Sequence, residues 1–162
     1  MKVEFINPFI ETITNILNTM AKMTCAHGQP YLKEDAYPLG EVTSVIALQG
    51  DAVTGSLAIS FASSTIIGIT SAMLGEEVNE LNDSCTSLAG ELANMLSGGA
   101  RKLLWERGFS FEMATPTLQQ GPSLIEHAQP CPVVVIPFDS KYGAFFIEVA
   151  LQPKLQRASL PI

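Results

Sequence analysis

Apolar and polar positions recur along this chain in a pattern that predicts two long amphipathic helices. Apolar residues return every three or four positions between residues 8 and 24, where Pro8 opens a first helical turn. The apolar stripe of this first helix consists of Phe9, Ile13, Ile16, Leu17 and Met20. A second helix is predicted from Asp83 or Ser84 to about Arg107. Its core-facing stripe consists of Leu88, Leu92, Met95, Leu96, Gly99 and Leu103.

Runs that are rich in β-branched and apolar residues, bounded by turn residues, predict strands between and after the helices. The four longest are expected at about residues 41–49, 54–61, 131–138 and 144–152. Shorter elements are extended pieces at 31–33 and 109–113 and a helix from Ser63 or Ser64 to Gly75. The order helix, strand, strand, strand therefore occurs twice, in pseudo-repeats at about 7–61 and 83–152.

This order predicts an α+β fold in a single domain over residues 1–152, followed by a loosely held tail at 153–162. An antiparallel sheet with a pseudo-twofold axis would carry the two long helices on one face, with their outer rows exposed. The length of 162 residues and the 47% hydrophobic content are sufficient for one sizeable core.

The charge balance narrows the classes of partner. The net charge is −7 and no lysine or arginine cluster is present, which argues against nucleic acid and against an anionic membrane surface. No signal-peptide pattern is visible, and the apolar runs are shorter than a bilayer span. We therefore expect a cytoplasmic protein.

The cysteines and histidines give no metal or nucleophile motif. Cys25, Cys85 and Cys131 are odd in number and lack C-x-x-C spacing, so neither a disulfide framework nor a zinc ribbon is predicted. Joining Cys25 and Cys131 with His27 and His127 as a metal site matches no familiar spacing. Neither a Ser-His-Asp arrangement nor a phosphate-binding glycine loop can be recognised.

The second helix also has a polar row opposite its predicted core stripe. This row consists of Ser87, Glu91, Asn94, Gly98 and Arg101. Glu91 and Asn94 lie one turn apart and point the same way, although such a row is also typical of a simple solvated surface. Glycine is a poor helix former, so Gly98 and Gly99 together indicate that another surface packs closely there.

The segment Ser87-Leu-Ala-Gly-Glu91-Leu-Ala-Asn94 resembles the (Asp/Ser)-x-x-x-Glu-x-x-Asn signature of the CheC/CheX/FliY family of chemotaxis phosphatases. The resemblance extends over most of the chain. It includes Asn7-Pro-Phe-Ile-Glu11, the glycine-punctuated strand Gly50–Phe61, and Ala72-Met-Leu-Gly-Glu76-Glu. These segments resemble the CheX branch, which implies a homodimer. The β-branched run Cys131–Ile136 would be an aggregation risk as a bare edge, so it is expected to pair inside the sheet or across a dimer.

The resemblance implies hydrolysis of the aspartyl phosphate of a CheY-like response regulator, with Glu91 and Asn94 as catalytic residues. An asparagine carboxamide has both donors and an acceptor, so Asn94 can hold the attacking water. Glu91 would repel a phosphoryl group but can pair with a lysine of the partner. Ser87, Gly98 and Arg101 are expected partner contacts. No cofactor of its own is expected, and Mg²⁺ would come from the regulator.

Two alternatives stay open at this point. The chain can be a docking or adaptor module that binds a response regulator or a flagellar switch component without catalysis. A small-molecule-binding sheet domain has only the fold in its favour. Trp105 lies near the polar row and is expected either to extend the docking surface or to close the core at the helix end.

The first helix is expected to hold a degenerate second site. When the two apolar stripes are matched at an offset of 79 positions, Thr12 corresponds to Glu91 and Asn15 corresponds to Asn94. In the family that the chain resembles, CheC-like members have the acid and the amide on both helices, whereas CheX-like members need only one. The segment Glu4-Phe-Ile-Asn7 has the same spacing, but it precedes Pro8 and is interpreted as the approach to the helix and its cap.

Overall fold

The computed structural model describes residues 3–51, 53–121 and 132–153. Its elements, in chain order, are α1 (Val3–Met20), β1 (Cys25–His27), β2 (Tyr31–Leu32), β3 (Val42–Gly50), β4 (Val53–Phe61), α2 (Ser63–Leu74), α3 (Asp83–Glu106), β5 (Phe111–Met113), β6 (Thr117–Gln120), β7 (Val134–Ser140) and β8 (Gly143–Pro153). The predicted tail lies almost wholly outside the described residues.

All eight strands form one antiparallel sheet in the order β1-β7-β8-β4-β3-β5. Strand β2 also pairs with β7, and β6 also pairs with β3. The hairpins β3–β4 and β7–β8 thus occupy the centre, and each outer edge consists of two short strands from the other half of the chain. The predicted α+β class is confirmed.

Alternation along the central strands explains why the helices cover one face. In β4, Leu57, Ile59 and Phe61 belong to the same buried cluster as the apolar residues of the three helices, whereas Ala58 and Ser60 point to the opposite face. The predicted packing of the long helices on one face of the sheet is therefore correct.

The bounds of α1 differ from the prediction. The helix begins at Val3 and ends at Met20, so Pro8 lies inside it and the segment 4–7 is helical. The expectation that the helical face begins only at Pro8 was wrong. Pro8 has no N–H to donate to the carbonyl four residues earlier, so α1 lacks one backbone hydrogen bond near its N-terminus.

The face that α3 buries also differs from the prediction. Its fully buried residues are Cys85, Ala89, Gly90, Leu92, Ala93, Leu96, Ser97, Ala100 and Leu104. Of the predicted stripe, only Leu92 and Leu96 are among them. The core face lies about a quarter turn from the predicted one, at 100° per residue. Small residues dominate the buried face, because they allow the helix backbone to approach the sheet closely.

The ends of α3 follow local rules. The side chain of Asn82 accepts a hydrogen bond from the Cys85 N–H at 3.1 Å, which caps the first turn. At the other end Gly108 has a φ of +92°, and its N–H donates to the Trp105 carbonyl at 3.0 Å. Both ends lie within one or two residues of their predicted positions.

Strand β7 is an interior strand, because it pairs with β8 on one side and with β1 and β2 on the other. The strand residues of the β-branched run that was considered an aggregation risk are therefore paired on both sides inside one chain. Pairing across a dimer is not needed to protect it, and the homodimer stays a prediction. Cys131 lies outside the described residues.

Candidate functional site

The polar row of α3 lies on the side of the helix that the core does not use. Ser87 and Glu91 are exposed, and Asn94, Gly98 and Arg101 are half-buried. Within the described ranges no residue forms a hydrogen bond or an ion pair with the side chains of Glu91 or Asn94. The structure therefore brings the predicted residues together on one helix face and leaves the acid and the amide available to a partner.

The two adjacent glycines of α3 have different surroundings. A β-carbon at Gly99 would overlap the Cγ2 methyl of Thr12 on α1, so the absence of a side chain allows the two helices to meet. A β-carbon at Gly98 would have no atom within 4 Å. The predicted close packing is confirmed at Gly99, whereas Gly98 keeps the exposed row free of side-chain bulk.

Arg101 has a partner that could not be predicted from the sequence. Its Nη2 donates to Oε1 of Glu112 on β5 at 2.9 Å, where the Arg101 side chain is partly exposed and the Glu112 side chain is largely exposed. An exposed pair of this kind contributes only about 0–1 kcal/mol to folding. Its effect is to hold the guanidinium at the β5 side of the polar row.

Trp105 is 68% exposed. The interpretation that it closes the core at the helix end was wrong. A shallow depression on α3 is lined by Gly98, Arg101, Lys102 and Trp105. Lys102 was not singled out from the sequence, although it is next to Arg101. This depression continues the polar row toward the helix C-terminus with two cations and an aromatic ring.

The residues predicted as a degenerate second site do not share an exposed face. Thr12 is only 8% exposed and faces Gly99, whereas Asn15 is exposed. The offset of 79 treated Thr12 as the counterpart of an exposed acid. The burial of Thr12 between the two long helices contradicts that placement.

The described residues contain no cluster of three or more histidine, cysteine, aspartate or glutamate side chains that could hold a metal ion. His27 is exposed, and His127 lies outside the described ranges. Cys25 is half-buried, with its Sγ 3.9 Å from Oγ1 of Thr14. Burial raises the pKa of the Cys25 thiol above its ordinary value, and the Thr14 contact opposes that shift. This thiol is therefore a poor nucleophile.

No helix in the described part of the chain is both long and apolar enough to cross a membrane. The cytoplasmic location stays a prediction.

Fold and site together define a single-domain α+β protein whose long helix presents an acid and an amide at the surface. The chain belongs to the family described as chemotaxis phosphatase CheX, whose model matches residues 42–139. Members of this class are hydrolases, and the family assignment confirms the resemblance found in the sequence.

Three known proteins illustrate the relationship. The CheY-P phosphatase CheX of Thermotoga maritima is 32% identical over 115 residues, which are 70% of this chain and 71% of that protein. A CheC-like superfamily protein from Shewanella sp. PV-4 is 40% identical with a TM-score of 0.86, covering 94% of this chain and 99% of that one. A chain of the CheX-CheY-BeF3-Mg²⁺ complex from Borrelia burgdorferi shares the fold at 20% identity and a TM-score of 0.74, covering 93% of this chain and 99% of that chain.

Proposed function

We propose that this protein hydrolyses the aspartyl phosphate of a CheY-like response regulator, with Glu91 and Asn94 of α3 as the catalytic residues. The observation that carries the proposal is the pairing of this acid and this amide on one exposed helix face, with no intramolecular partner among the described residues. A surface helix can enter the phosphorylation site of another protein without rearrangement of its own fold.

Asn94 holds the attacking water. Hydrolysis of an acyl phosphate requires a water in line with the departing carboxylate, so a catalyst gains most from positioning. The carboxamide accepts one hydrogen bond from the water and donates another to a phosphoryl oxygen, and it does so without changing its own protonation state. Half-burial of Asn94 restricts its rotamers before the partner arrives.

Glu91 fixes the register in which the helix docks. Its carboxylate repels the phosphoryl group, so direct stabilisation of the reacting phosphate is excluded. A lysine beside the phosphate on the regulator offers an ion pair instead. Because Glu91 is exposed and has no hydrogen-bond or ion-pair partner among the described residues, that ion pair replaces no interaction within this part of the chain.

The rest of the row forms the docking surface. Gly98 leaves room for close approach, Ser87 lies at the far end of the row, and Arg101 is held at the β5 side by Glu112. These three residues are the partner contacts expected from the sequence. Trp105 and Lys102 extend the surface and add an aromatic ring of the kind that is enriched at interfaces.

Two relatives support the substrate class. One is the CheY-P phosphatase of Thermotoga maritima, and the complex from Borrelia burgdorferi contains CheY and Mg²⁺ together with a chain of the same fold. In our proposal Mg²⁺ belongs to the response regulator, where it neutralises phosphoryl charge. The present chain adds the water-positioning amide and the docking helix.

The experiment measures the lifetime of the acyl phosphate on a CheY-like regulator from the same cell, with and without this protein. Wild type shortens the lifetime. Asn94→Ala reduces the acceleration contributed by α3 on the order of 100-fold while binding persists, since a single positioned hydrogen-bonding group is worth that much. Glu91→Ala weakens binding by about tenfold or more, which corresponds to about 1.4 kcal/mol.

Matched controls separate these effects from general damage to α3. Glu106→Ala removes the same side chain from the same helix about four turns from Glu91, and it should leave both readouts unchanged. Gly98→Gln occupies open space, so it should block docking without loss of folding. If wild type binds the phosphorylated regulator but leaves its lifetime unchanged, the adaptor interpretation replaces catalysis.

A further inference from the structure

The polar row of α3 carries two charged side chains of opposite sign, one on each side of Asn94. Glu91 lies three positions before the amide, and Arg101 lies seven positions after it. Residues at these spacings share one face of a helix, so the order along the row is acid, amide, cation. The proposed target offers a lysine next to a phosphoryl group, which are a cation and an anion. The two surfaces are therefore complementary when the lysine meets Glu91 and the phosphoryl group lies on the Arg101 side.

The surface between Asn94 and Arg101 is open. Gly98 lies between them on the row, and a β-carbon at Gly98 would have no atom within 4 Å. The two residues are separated by about 10.5 Å along the helix axis. Helical side chains lean toward the helix N-terminus, which for Arg101 is the direction of Gly98 and Asn94. An extended arginine side chain spans more than half of that separation, so its guanidinium can reach a phosphoryl group bound at the Asn94 amide.

Arg101 is held in the free protein by a partner that it can leave at small cost. Its Nη2 lies 2.9 Å from Oε1 of Glu112, whose side chain is 79% exposed. Such exposed pairs are weak because water competes for both charges. A phosphoryl group carries more negative charge than a carboxylate and accepts two parallel hydrogen bonds from a guanidinium. A docked regulator also excludes water from the pair, which strengthens the attraction. Docking therefore favours exchange of Glu112 for the phosphoryl group.

The neighbouring cation of α3 does not offer the same contact. Within α3, all of which the structure describes, the cations are Arg101 and Lys102. Lys102 is rotated by about 100° around the helix axis from Arg101, so it does not lie on the row. It lines the depression that contains Trp105. Arg101 is therefore the cation of α3 that shares a face with Asn94.

We propose that Arg101 leaves Glu112 when the regulator docks and donates hydrogen bonds to the phosphoryl oxygens at Asn94. This inference rests on the proposed function. The attacking water forms a bond to phosphorus while the bond from phosphorus to the aspartyl oxygen breaks, and the dianionic acyl phosphate and water become a carboxylate and dihydrogen phosphate. The guanidinium keeps its protons throughout. It neutralises charge on the phosphoryl oxygens and offsets their repulsion by Glu91.

The first test measures how tightly the full chain binds the regulator in two states. One state is unphosphorylated, and the other carries Mg²⁺ and beryllium trifluoride, which stands in for the phosphoryl group. Arg101→Ala should weaken binding of the loaded state by about tenfold or more relative to the unloaded state, since it removes charge-assisted hydrogen bonds to the phosphoryl mimic. Arg101→Lys should restore part of this difference, because an ammonium keeps the charge without the planar fork.

Glu112→Gln tests the exchange of partners. It releases Arg101 before docking, so it should strengthen binding of the loaded regulator by up to about fivefold. In the Arg101→Ala background the same substitution should have no effect, because the pair that it breaks is already absent. Additive effects of the two substitutions would overturn the exchange.

The second test measures the acyl-phosphate lifetime at saturating concentrations of this protein, where differences in affinity no longer contribute. Arg101→Ala should reduce the maximal acceleration by about 10-fold to 100-fold. Arg107→Ala is the matched control, because it removes the same side chain just beyond α3 and about 240° around the helix axis from Arg101. It should leave both the maximal acceleration and the affinity ratio unchanged.

Equal weakening of both regulator states by Arg101→Ala, together with an unchanged maximal acceleration, would overturn the proposal and leave Arg101 as a docking contact. A reduction of the maximal acceleration by Arg107→Ala as large as that by Arg101→Ala would also overturn it. Neither result affects the proposed function, which fails if wild type does not shorten the lifetime of the acyl phosphate. Far-UV circular dichroism of each variant verifies folding.

Discussion

Replacing Gly99 by alanine tests whether the contact between α1 and α3 requires a residue without a side chain. The new β-carbon would overlap Cγ2 of Thr12 and lie 3.2 Å from its Oγ1. Thr12 is 8% exposed and β-branched, so rotation about its χ1 angle is restricted. Either the helices move apart or Thr12 adopts a strained rotamer.

Two free-energy contributions of opposite sign determine how Gly99→Ala changes the stability of the protein. Alanine is better than glycine in a helix interior by about 1 kcal/mol. Overpacking of a close interface costs about 1–3 kcal/mol. We therefore expect Gly99→Ala to lower the free energy of unfolding by about 0–2 kcal/mol. Gly98→Ala has only the favourable term, because no atom lies within 4 Å of the position. The difference between the two variants isolates the overpacking term.

The assay is urea unfolding followed by far-UV circular dichroism, with unchanged m-values as the condition for comparison. Gly98→Ala should be more stable than Gly99→Ala by about 1–3 kcal/mol. Thr12→Ala should be coupled to Gly99→Ala by about 0.5–3 kcal/mol, because it removes the overlapping methyl group. Equal stabilities of the two glycine variants, or additive effects with Thr12→Ala, would refute the assignment of this contact.

Two further predictions concern groups away from the site. Nζ of Lys33 lies 2.8 Å from Oε2 of Glu148, and both side chains are almost wholly buried. Lys33→Met should therefore cost about 3–5 kcal/mol in urea unfolding, and a double variant with Glu148→Gln should regain most of it; a single variant as stable as wild type would contradict the pairing. The pKa of Cys25 is raised above its ordinary value of 9.0 by burial, with opposition from Thr14, so its contribution to stability is complete below that pH and decreases as the pH rises through the folded pKa. Cys25→Ser should reduce the loss of stability as the pH rises above 9.0, and identical pH profiles would exclude the effect.

The proximity of the two residues proposed as catalytic could be predicted from the sequence because their geometry is local. Residues three positions apart on a helix are neighbours whatever the rest of the fold does. Once α3 was recognised from its period and its caps, the proximity of Glu91 and Asn94 followed. In the structure Glu91 is exposed and Asn94 is half-buried, and the predicted core stripe was about a quarter turn away from the true one.

That error shows the limit of periodicity. Large apolar residues such as Leu88 and Met95 dominated the predicted stripe of α3, but they are only half-buried. Alanine and glycine form much of the true core face, because close packing against a sheet favours small side chains at the contact. A hydrophobic pattern weights residues by size and apolarity, whereas packing selects them by shape.

The same limit explains the wrong offset between the two long helices. Aligning the large apolar residues of α1 and α3 gave an offset of 79 positions. The buried positions of the two helices and the contact between Thr12 and Gly99 give an offset of 87 positions. Pro8 strengthened the error, because it was treated as the first residue of α1. Proline is tolerated near a helix N-terminus, so its position does not by itself identify the first residue of the helix.

The sequence by itself determined the elements whose hydrogen bonds are local, namely the long helices, the central hairpins and the glycine-terminated helix ends. Tertiary structure alone decided the relations between residues far apart in the chain. It placed Glu112 beside Arg101, left Trp105 at the surface, added the short edge strands to β3 and β7, and set Thr12 against Gly99. The physical reason is that local backbone hydrogen bonds repeat with a fixed period, whereas the choice of a packed face depends on the surfaces that the rest of the chain brings to it.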